Sequence, residues 1–160
     1  MRYATVEPNG YMYMIFPNLY VGGFNASTNY EYLKLHNITH IINCAGEKYI
    51  IHEPDIKVYN LNLFDSPLFP IHEYFEPTAN LIAHIYQQNP NNRVLVSCAM
   101  GINRSMSILI AYLLYSTQRT LQDIIKHIVS LRPYAMLTNM AFYNQLCLYD
   151  SSLRNVASNK

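Results

Sequence analysis

One continuous segment, RVLVSCAMGINRSMSILIAYLLYS, Arg93 to Ser116, indicates the fold class of this chain. It begins with a uniformly apolar run, RVLVS, which is typical of a central strand buried on both faces of a parallel sheet. It ends with RSMSILIAYLLYS, whose apolar spacing predicts a helix. The connecting loop, CAMGIN, is therefore expected at the carboxyl end of a central strand, where open α/β sheets bind ligands.

Four more strands are predicted before this stretch, because YMYMIF, LYVG, ITHIINC and IKVYNLN are rich in β-branched and aromatic residues. Helical patterns occur at ASTNYEYLKLH, PTANLIAHIYQQ, LQDIIKHIVSL and NMAFYNQLCLYD, the last after a Thr138 cap. Strands that alternate with helices, followed by a run of helices, predict an α/β fold. We expect a three-layer sandwich: a central, mostly parallel sheet flanked by helices.

The chain has 160 residues, of which 51% are hydrophobic, and this fits one domain with its own core. We expect a flexible segment over residues 1–10, one domain over 11–150 and a flexible tail over 151–160. The formal net charge of +1 argues against a nucleic-acid-binding surface or a polybasic membrane patch.

The distribution of cysteines and apolar residues indicates the compartment. The three cysteines, Cys44, Cys98 and Cys147, are irregularly spaced, which favours a reducing environment over a disulfide framework. No apolar run is long enough to cross a bilayer, and the first residues do not resemble a signal peptide. We therefore expect a cytoplasmic protein without a membrane partner.

The loop between the central strand and its helix has the composition of an anion site. Its five residues between Cys98 and Arg104 can curl so that successive backbone N–H groups meet one anion, and Gly101 permits the required backbone conformation. The helix N-terminus and the forked guanidinium of Arg104 add positive charge, which also favours the thiolate of Cys98. The alternative is an inert buried cysteine and a surface arginine. The expected phosphate-binding residues are Ala99, Met100, Gly101, Ile102, Asn103 and Arg104.

The pattern Cys-x5-Arg followed by Ser105 resembles the signature of the cysteine-dependent protein phosphatases, and the small size resembles their dual-specificity branch. Four further segments are similar, in order, to that branch's first hairpin, second strand, general-acid loop and closing helix pair. They are IFPNLYVGGFNAS, ITHIINCAGE, LNLFDSP and LRPYAMLTNMAFYNQLCLYD. The resemblance implies a protein phosphatase that acts on phosphotyrosine and phosphoserine or phosphothreonine, with no cofactor and no metal.

The same resemblance implies a role for each matching residue. Cys98 is the nucleophile, Arg104 stabilises the transferred phosphoryl group, and Asp65 is the general acid and later the base. Taken alone, an aspartate such as Asp65 is more often a turn residue, because Asp-Ser-Pro favours a turn. Ser105 is expected to donate a hydrogen bond to Cys98, with a helix cap as the alternative. Asn139 is expected to brace the loop.

Ser97 stands where the phosphatase signature has a histidine directly before the cysteine. The resemblance implies that this histidine holds the loop by hydrogen bonds and favours the thiolate, without acting as the base. Serine is shorter and cannot carry positive charge, so we expect the pKa of Cys98 to be higher than is usual in the family. The sequence therefore predicts slowed chemistry more than lost chemistry.

Two classes of function remain open. The first is an active protein phosphatase, and the second is a phosphoprotein-binding module that keeps the anion site but turns over too slowly. An RNA 5′-triphosphatase is the second candidate among enzymes, because Asn103 before the signature arginine resembles both small viral dual-specificity phosphatases and RNA triphosphatase relatives. The loop side chains include no Lys or His for additional phosphate charge, so a phosphoprotein is the expected substrate.

Cys44 ends the predicted strand ITHIINC, which we expect to lie near the strand that leads to Cys98. INCAGEKY resembles the same place in family members that protect the nucleophile by a reversible disulfide, so Cys44 is a candidate redox partner. The alternative, which we favour, is an ordinary core cysteine.

Overall fold

The computed structural model describes residues 12–46, 53–132 and 136–160. They contain a five-stranded sheet in the order β1-β2-β5-β3-β4. The first pair, β1 and β2, is antiparallel, and the pairs β2–β5, β5–β3 and β3–β4 are parallel. This confirms the mostly parallel sheet. The strands are β1 Met12–Phe16, β2 Leu19–Gly22, β3 His40–Asn43, β4 Lys57–Asn60 and β5 Val94–Ser97.

The helices form a layer on each face of this sheet. One face packs against two short helices, α1 Phe24–Ser27 and α2 Tyr30–Leu35, through a core cluster that includes Leu95 of β5. The other face packs against four longer helices, through a larger cluster that includes Val94 and Val96. These helices are α3 Phe75–Gln88, α4 Arg104–Ser116, α5 Leu121–Leu131 and α6 Met140–Ser158.

The central strand, β5, supports the start of the cysteine loop. Every residue of β5 is buried, and β5 pairs on both sides with parallel strands. The alternation of side chains along a strand sends Leu95 to one helical layer and Val94 and Val96 to the other. A uniformly apolar strand is thus required at this position, as the sequence indicates, and α4 begins at Arg104 as predicted. The three-layer sandwich is confirmed.

Three boundaries differ from the expectations. The first predicted helix is divided into two helices, α1 and α2. Asn29 interrupts it and caps α2, because its side chain accepts a hydrogen bond from Tyr32 N–H at 3.1 Å. The residue that caps α6 is Asn139, whose Oδ1 accepts from Phe142 N–H, so the Thr138 cap is wrong. The expected tail over 151–160 is wrong for 151–158, because α6 continues to Ser158 with Leu153 against the core.

Two further expectations concern the N-terminal segment and membrane-spanning helices. The segment 1–10 lies outside the described residues. Within the described part of the chain, no helix combines the length and the apolar character needed to cross a membrane.

Candidate active site

The loop after β5 wraps around the sulfur of Cys98. Its Sγ lies 3.0 Å from the Ser105 hydroxyl and accepts a hydrogen bond from Gly101 N–H at 3.2 Å. The thiol is almost fully buried, with 3% of the residue exposed. The predicted convergence of loop N–H groups is therefore present, and the sulfur lies inside it.

Two opposing effects set the pKa of Cys98. Burial raises it, because a thiolate loses hydration in the interior. Hydrogen bonds from the Ser105 hydroxyl and from the backbone N–H groups of Ser105, Gly101 and Ile102 lower it. The hydrogen bonds dominate, so the pKa lies below that of an ordinary thiol. A lowered pKa increases the fraction of nucleophilic thiolate at neutral pH.

Close backbone packing against the end of β2 gives the loop its shape. Gly101 has a positive φ of 67°, and a Cβ on it would lie 2.8 Å from the carbonyl carbon of Gly22. Only glycine fits this conformation and this approach without displacing the strand. Two backbone bonds complete the contact, from Cys98 N–H to the Gly22 carbonyl and from Phe24 N–H to the Ala99 carbonyl.

The connection between α5 and α6 supports the loop from the opposite side. The buried guanidinium of Arg132 donates to the Gly101 carbonyl, and Leu137 N–H donates to the Ile102 carbonyl at 3.1 Å. Leu137 itself has a φ of 52°, an uncommon conformation for a side chain of this kind. Sequence reasoning missed Leu137, because a backbone N–H donor leaves no signal in the residue type.

Arg104 is the first residue of α4 and turns back over the loop. Its Nη1 donates to the Leu63 carbonyl at 3.2 Å, which fixes the side chain beside the segment that carries Asp65. Its Nε is buried and has no hydrogen-bond partner among the described residues. A buried N–H donor is costly when unpaired, so a bound oxygen ligand that paired with this atom would remove that cost.

Asp65 is joined to the loop by two amide side chains. Its Oδ2 accepts from Asn103 Nδ2 and its Oδ1 accepts from Asn139 Nδ2, each at 2.9 Å. Backbone donors fix both amides, because Asn103 Oδ1 accepts from Asn139 N–H and Asn139 Oδ1 accepts from Phe142 N–H. Each NH₂ group therefore points to the carboxylate. We call Asp65, Asn103 and Asn139 the carboxylate clamp.

The clamp adds a contact that the sequence does not indicate. The side chain of Asn103 contacts Asp65 and Thr138, so its expected part in phosphate binding is left to its backbone N–H. Asn139 contacts the loop through Asn103 and also holds the carboxylate. Beyond Asp65, Gln145 of α6 anchors the same segment by donating to the Phe69 carbonyl at 3.1 Å.

Ser97 and Cys44 lie beneath the loop in neighbouring positions of the sheet. Ser97 is fully buried, and its hydroxyl has no hydrogen-bond partner among the described residues. Cys44 follows β3, and its N–H donates to the Ser97 carbonyl at 2.7 Å. Burial, and then the nearby charge of Cys98, raises the pKa of Cys44 well above its ordinary value. Cys44 is therefore a protonated thiol in the core.

The structure thus brings Asp65, from an earlier segment of the chain, to the loop that carries Cys98, Arg104 and Ser105. The side chain of Met100 is apolar and 72% exposed, so it offers an anion site only its backbone N–H. In the described ranges, no group of three or more His, Cys, Asp or Glu side chains is arranged to hold a metal ion.

A buried, activated cysteine within a ring of N–H groups, with an arginine and a carboxylate beside it, defines a cysteine-dependent phosphatase. The profile of the dual specificity phosphatase catalytic domain matches residues 19–152. The chain therefore belongs to the dual specificity phosphatase family, which confirms the resemblance seen in the sequence.

Individual relatives agree with this assignment. Dual specificity protein phosphatase 26 from Bos taurus is 30% identical over 145 residues, covering 88% of this chain and 67% of the relative. A Dictyostelium discoideum protein named as a probable rhodanese domain-containing dual specificity protein phosphatase is 39% identical over 105 residues. That match covers 66% of this chain and 22% of the relative, so the chain corresponds to a small part of that protein. The crystal structure of DUSP15 superposes with a TM-score of 0.79 at 29% identity, covering 93% of this chain and 96% of the other.

Proposed function

We propose that this chain hydrolyses phosphotyrosine and phosphoserine or phosphothreonine in proteins through a phosphocysteine on Cys98. The observation that carries the proposal is the buried sulfur of Cys98, bonded by Ser105 and Gly101 N–H, with a pKa lowered by these donors. A site that stabilises one anionic sulfur with convergent N–H groups also suits the equatorial oxygens of a phosphoryl group.

In the first step, the thiolate of Cys98 attacks phosphorus, and the bond from phosphorus to the substrate oxygen breaks. Asp65 gives its proton to that leaving oxygen. Arg104 and the loop N–H groups bind the three equatorial oxygens, and the unpaired Nε of Arg104 supports this role.

In the second step, water attacks the phosphocysteine. Asp65 accepts the proton from the water, and the bond between sulfur and phosphorus breaks, which returns the electron pair to Cys98 and releases inorganic phosphate. The Ser105 hydroxyl, 3.0 Å from Sγ, donates to the departing thiolate. One carboxylate thus serves both steps in opposite protonation states.

Ser97 slows this chemistry without preventing it. Its unpaired hydroxyl gives the loop no hydrogen bond and no positive charge. The donors that lower the pKa of Cys98 are at the other end of the loop, so the nucleophile keeps its activation when position 97 is a serine. We therefore expect a thiol that titrates higher than it does in a variant with histidine at this position.

The test compares hydrolysis of a small aryl phosphate by the parent, Cys98→Ser and Ser97→His across pH. We expect activity in the parent, none in Cys98→Ser, and a lower apparent pKa of the thiol in Ser97→His. An inactive parent that gains activity in Ser97→His would refute the proposal that the protein is an active phosphatase. An unchanged pH profile in Ser97→His would refute the role given to Ser97.

The second candidate function is a phosphoprotein-binding module, and the orphaned hydroxyl of Ser97 is the observation that favours it. Capture from cell extract by Cys98→Ser or Asp65→Ala identifies a phosphoprotein under either function. Release of phosphate from triphosphate-ended RNA, compared with a phosphopeptide, tests the RNA alternative. The free thiols of Cys44, Cys98 and Cys147 support a reducing, cytoplasmic location.

Core packing is the role that burial and protonation support for Cys44. The redox alternative is tested with mild peroxide followed by mass spectrometry. A Cys44–Cys98 crosslink would support a protective disulfide, and irreversible oxidation of Cys98 without a crosslink would reject it.

A further inference from the structure

A shallow depression of about 440 Å³ opens beside the carboxylate clamp. Asp65 and Asn103 form the side nearest Cys98, and Pro67 and Met140 form apolar walls. Thr138 and Asn139 also line it. The proposed acid, Asp65, thus lines this depression directly.

The position of Asp65 in the lining indicates the occupant of the depression. When the phosphate of a substrate lies over Cys98, its leaving oxygen lies beside Asp65, and the substrate backbone passes the edge of the depression. Consecutive residues of an extended chain are separated by about 3.3–3.6 Å, so the side chain next to the phosphorylated residue reaches this space. The occupant is part of the substrate itself.

Two apolar side chains next to the carboxylate clamp are largely exposed. Met140, which lines the depression and follows Asn139, is 61% exposed, and Phe64, which precedes Asp65, is 63% exposed. Single exposed apolar residues are common on proteins, but these two come from separate segments that meet at one clamp. Together they favour contact with an apolar group.

The charge of the lining residues narrows the chemistry of the occupant further. Among the described residues that line the depression, Asp65 is the only charged one. A carboxylate on the substrate would find no cation there to offset its loss of hydration. An apolar side chain meets no such penalty, and it removes the exposed surface of Met140 from water.

We propose that this depression is a substrate subsite for a large apolar side chain, such as Leu, Met or Phe, adjacent to the phosphorylated residue. The proposal rests on the proposed function, because it assumes that the phosphoryl group binds over Cys98. It assigns Met140 and Pro67 to substrate selection, and it makes phosphopeptides with apolar neighbours better ligands than those with acidic neighbours.

The experiment uses phosphotyrosine peptides with Leu, Lys or Glu placed immediately before or immediately after the phosphorylated residue. Two quantities are measured: the dissociation constant of labelled peptides from Cys98→Ser, and kcat/KM for the parent. We expect Leu peptides to have a dissociation constant about tenfold lower, and a kcat/KM about tenfold higher, than Glu peptides at one of the two positions. Met140→Lys should reverse this ranking and favour Glu, because it places a cation in the subsite.

The matched control is Leu35→Lys, which places the same charge on another exposed apolar residue. Leu35 ends α2 beside His36, whose carbonyl accepts from Arg93 at the start of β5, at the other end of that strand from Cys98. The parent ranking should persist in this variant. A parent that binds Leu and Glu peptides equally, or a Met140→Lys variant that keeps the parent ranking, overturns the subsite.

Parallel measurements separate the subsite from other functions of the surface. Hydrolysis of an aryl phosphate by the parent tests the proposed function alone, and peptide binding to Cys98→Ser still tests the subsite if turnover is absent. If Met140→Lys changes sedimentation or binding to phosphatidylcholine vesicles without changing the peptide ranking, the surface serves a second copy or a membrane. That result also overturns the subsite.

Discussion

The two ends of the cysteine loop contain buried serines with opposite hydrogen bonding. At the helix end, the Ser105 hydroxyl lies 3.0 Å from Cys98 Sγ. At the strand end, the Ser97 hydroxyl is equally buried but has no partner among the described residues. The same residue type thus contributes an active-site hydrogen bond at one end and an uncompensated polar atom at the other.

This difference shows where the loop concentrates its chemistry. The helix end adds the guanidinium of Arg104, which donates to the Leu63 carbonyl, and the amide of Asn103, which donates to Asp65. The strand end is held by backbone bonds, including Cys44 N–H to the Ser97 carbonyl, which do not depend on the side chain at position 97. A change at position 97 therefore leaves the frame of the loop intact, whereas changes at the helix end remove functional groups.

The largest effect should come from Arg104→Lys at the helix end. Lysine keeps the charge but loses the fork that binds two phosphate oxygens and the buried Nε donor. We expect kcat/KM for an aryl phosphate to fall by about 10²–10³-fold, as for the loss of a preorganised transition-state donor. The control is Arg154→Lys, which changes an exposed arginine paired with Asp150 on α6. Equal activity of both variants would contradict the role of Arg104.

The next effect should come from Ser105→Ala. Without the hydroxyl donor, the thiolate of Cys98 is less stable, so its pKa rises and the ascending limb of kcat/KM moves to higher pH. We expect kcat to fall by about 10–100-fold in addition, because the departing thiolate loses its donor. Steady-state kinetics from acidic to alkaline pH measure both effects.

The control for Ser105→Ala is Ser107→Ala in the same helix. Ser107 is also buried, but its hydroxyl donates to the Asn103 carbonyl at 2.6 Å and does not contact Cys98. Ser107→Ala should lower the free energy of unfolding without moving the pH profile of kcat/KM. A shift of the profile in Ser107→Ala, or its absence in Ser105→Ala, would show that the hydroxyl at position 105 does not control the thiol.

A smaller effect is expected from Asn103→Ala, which removes one arm of the carboxylate clamp. Asp65 is then less well positioned to protonate the leaving oxygen, so kcat/KM should fall most for substrates with poor leaving groups. We expect about a tenfold loss for an alkyl phosphate and less than threefold for an activated aryl phosphate. The control is Asn80→Ala, which changes an exposed residue of α3. Equal losses for both substrates would indicate a structural effect only.

The sequence predicts this helix end well because its signals are local. The apolar strand, Gly101 and the amphipathic pattern after Arg104 lie within one continuous stretch, and α4 and α5 begin and end where their patterns do. The supporting contacts were not predictable in this way. Arg132 to Gly101 and Asn139 to Asp65 join residues that only tertiary packing brings together. The extension of α6 likewise depends on Leu153 reaching the core.

The smallest effect, and the sharpest test of the comparison, is the stability of Ser97→Ala. A buried hydroxyl without a partner costs desolvation energy, so its removal should raise the free energy of unfolding by about 1 kcal/mol. Ser27→Ala is the matched variant, because Ser27 is also buried but donates to the Phe24 carbonyl at 3.2 Å. It should lower the free energy of unfolding by about 1 kcal/mol. Urea unfolding measures both, and a loss of stability in both variants would mean that Ser97 is hydrogen-bonded in solution and that the two ends of the loop are alike.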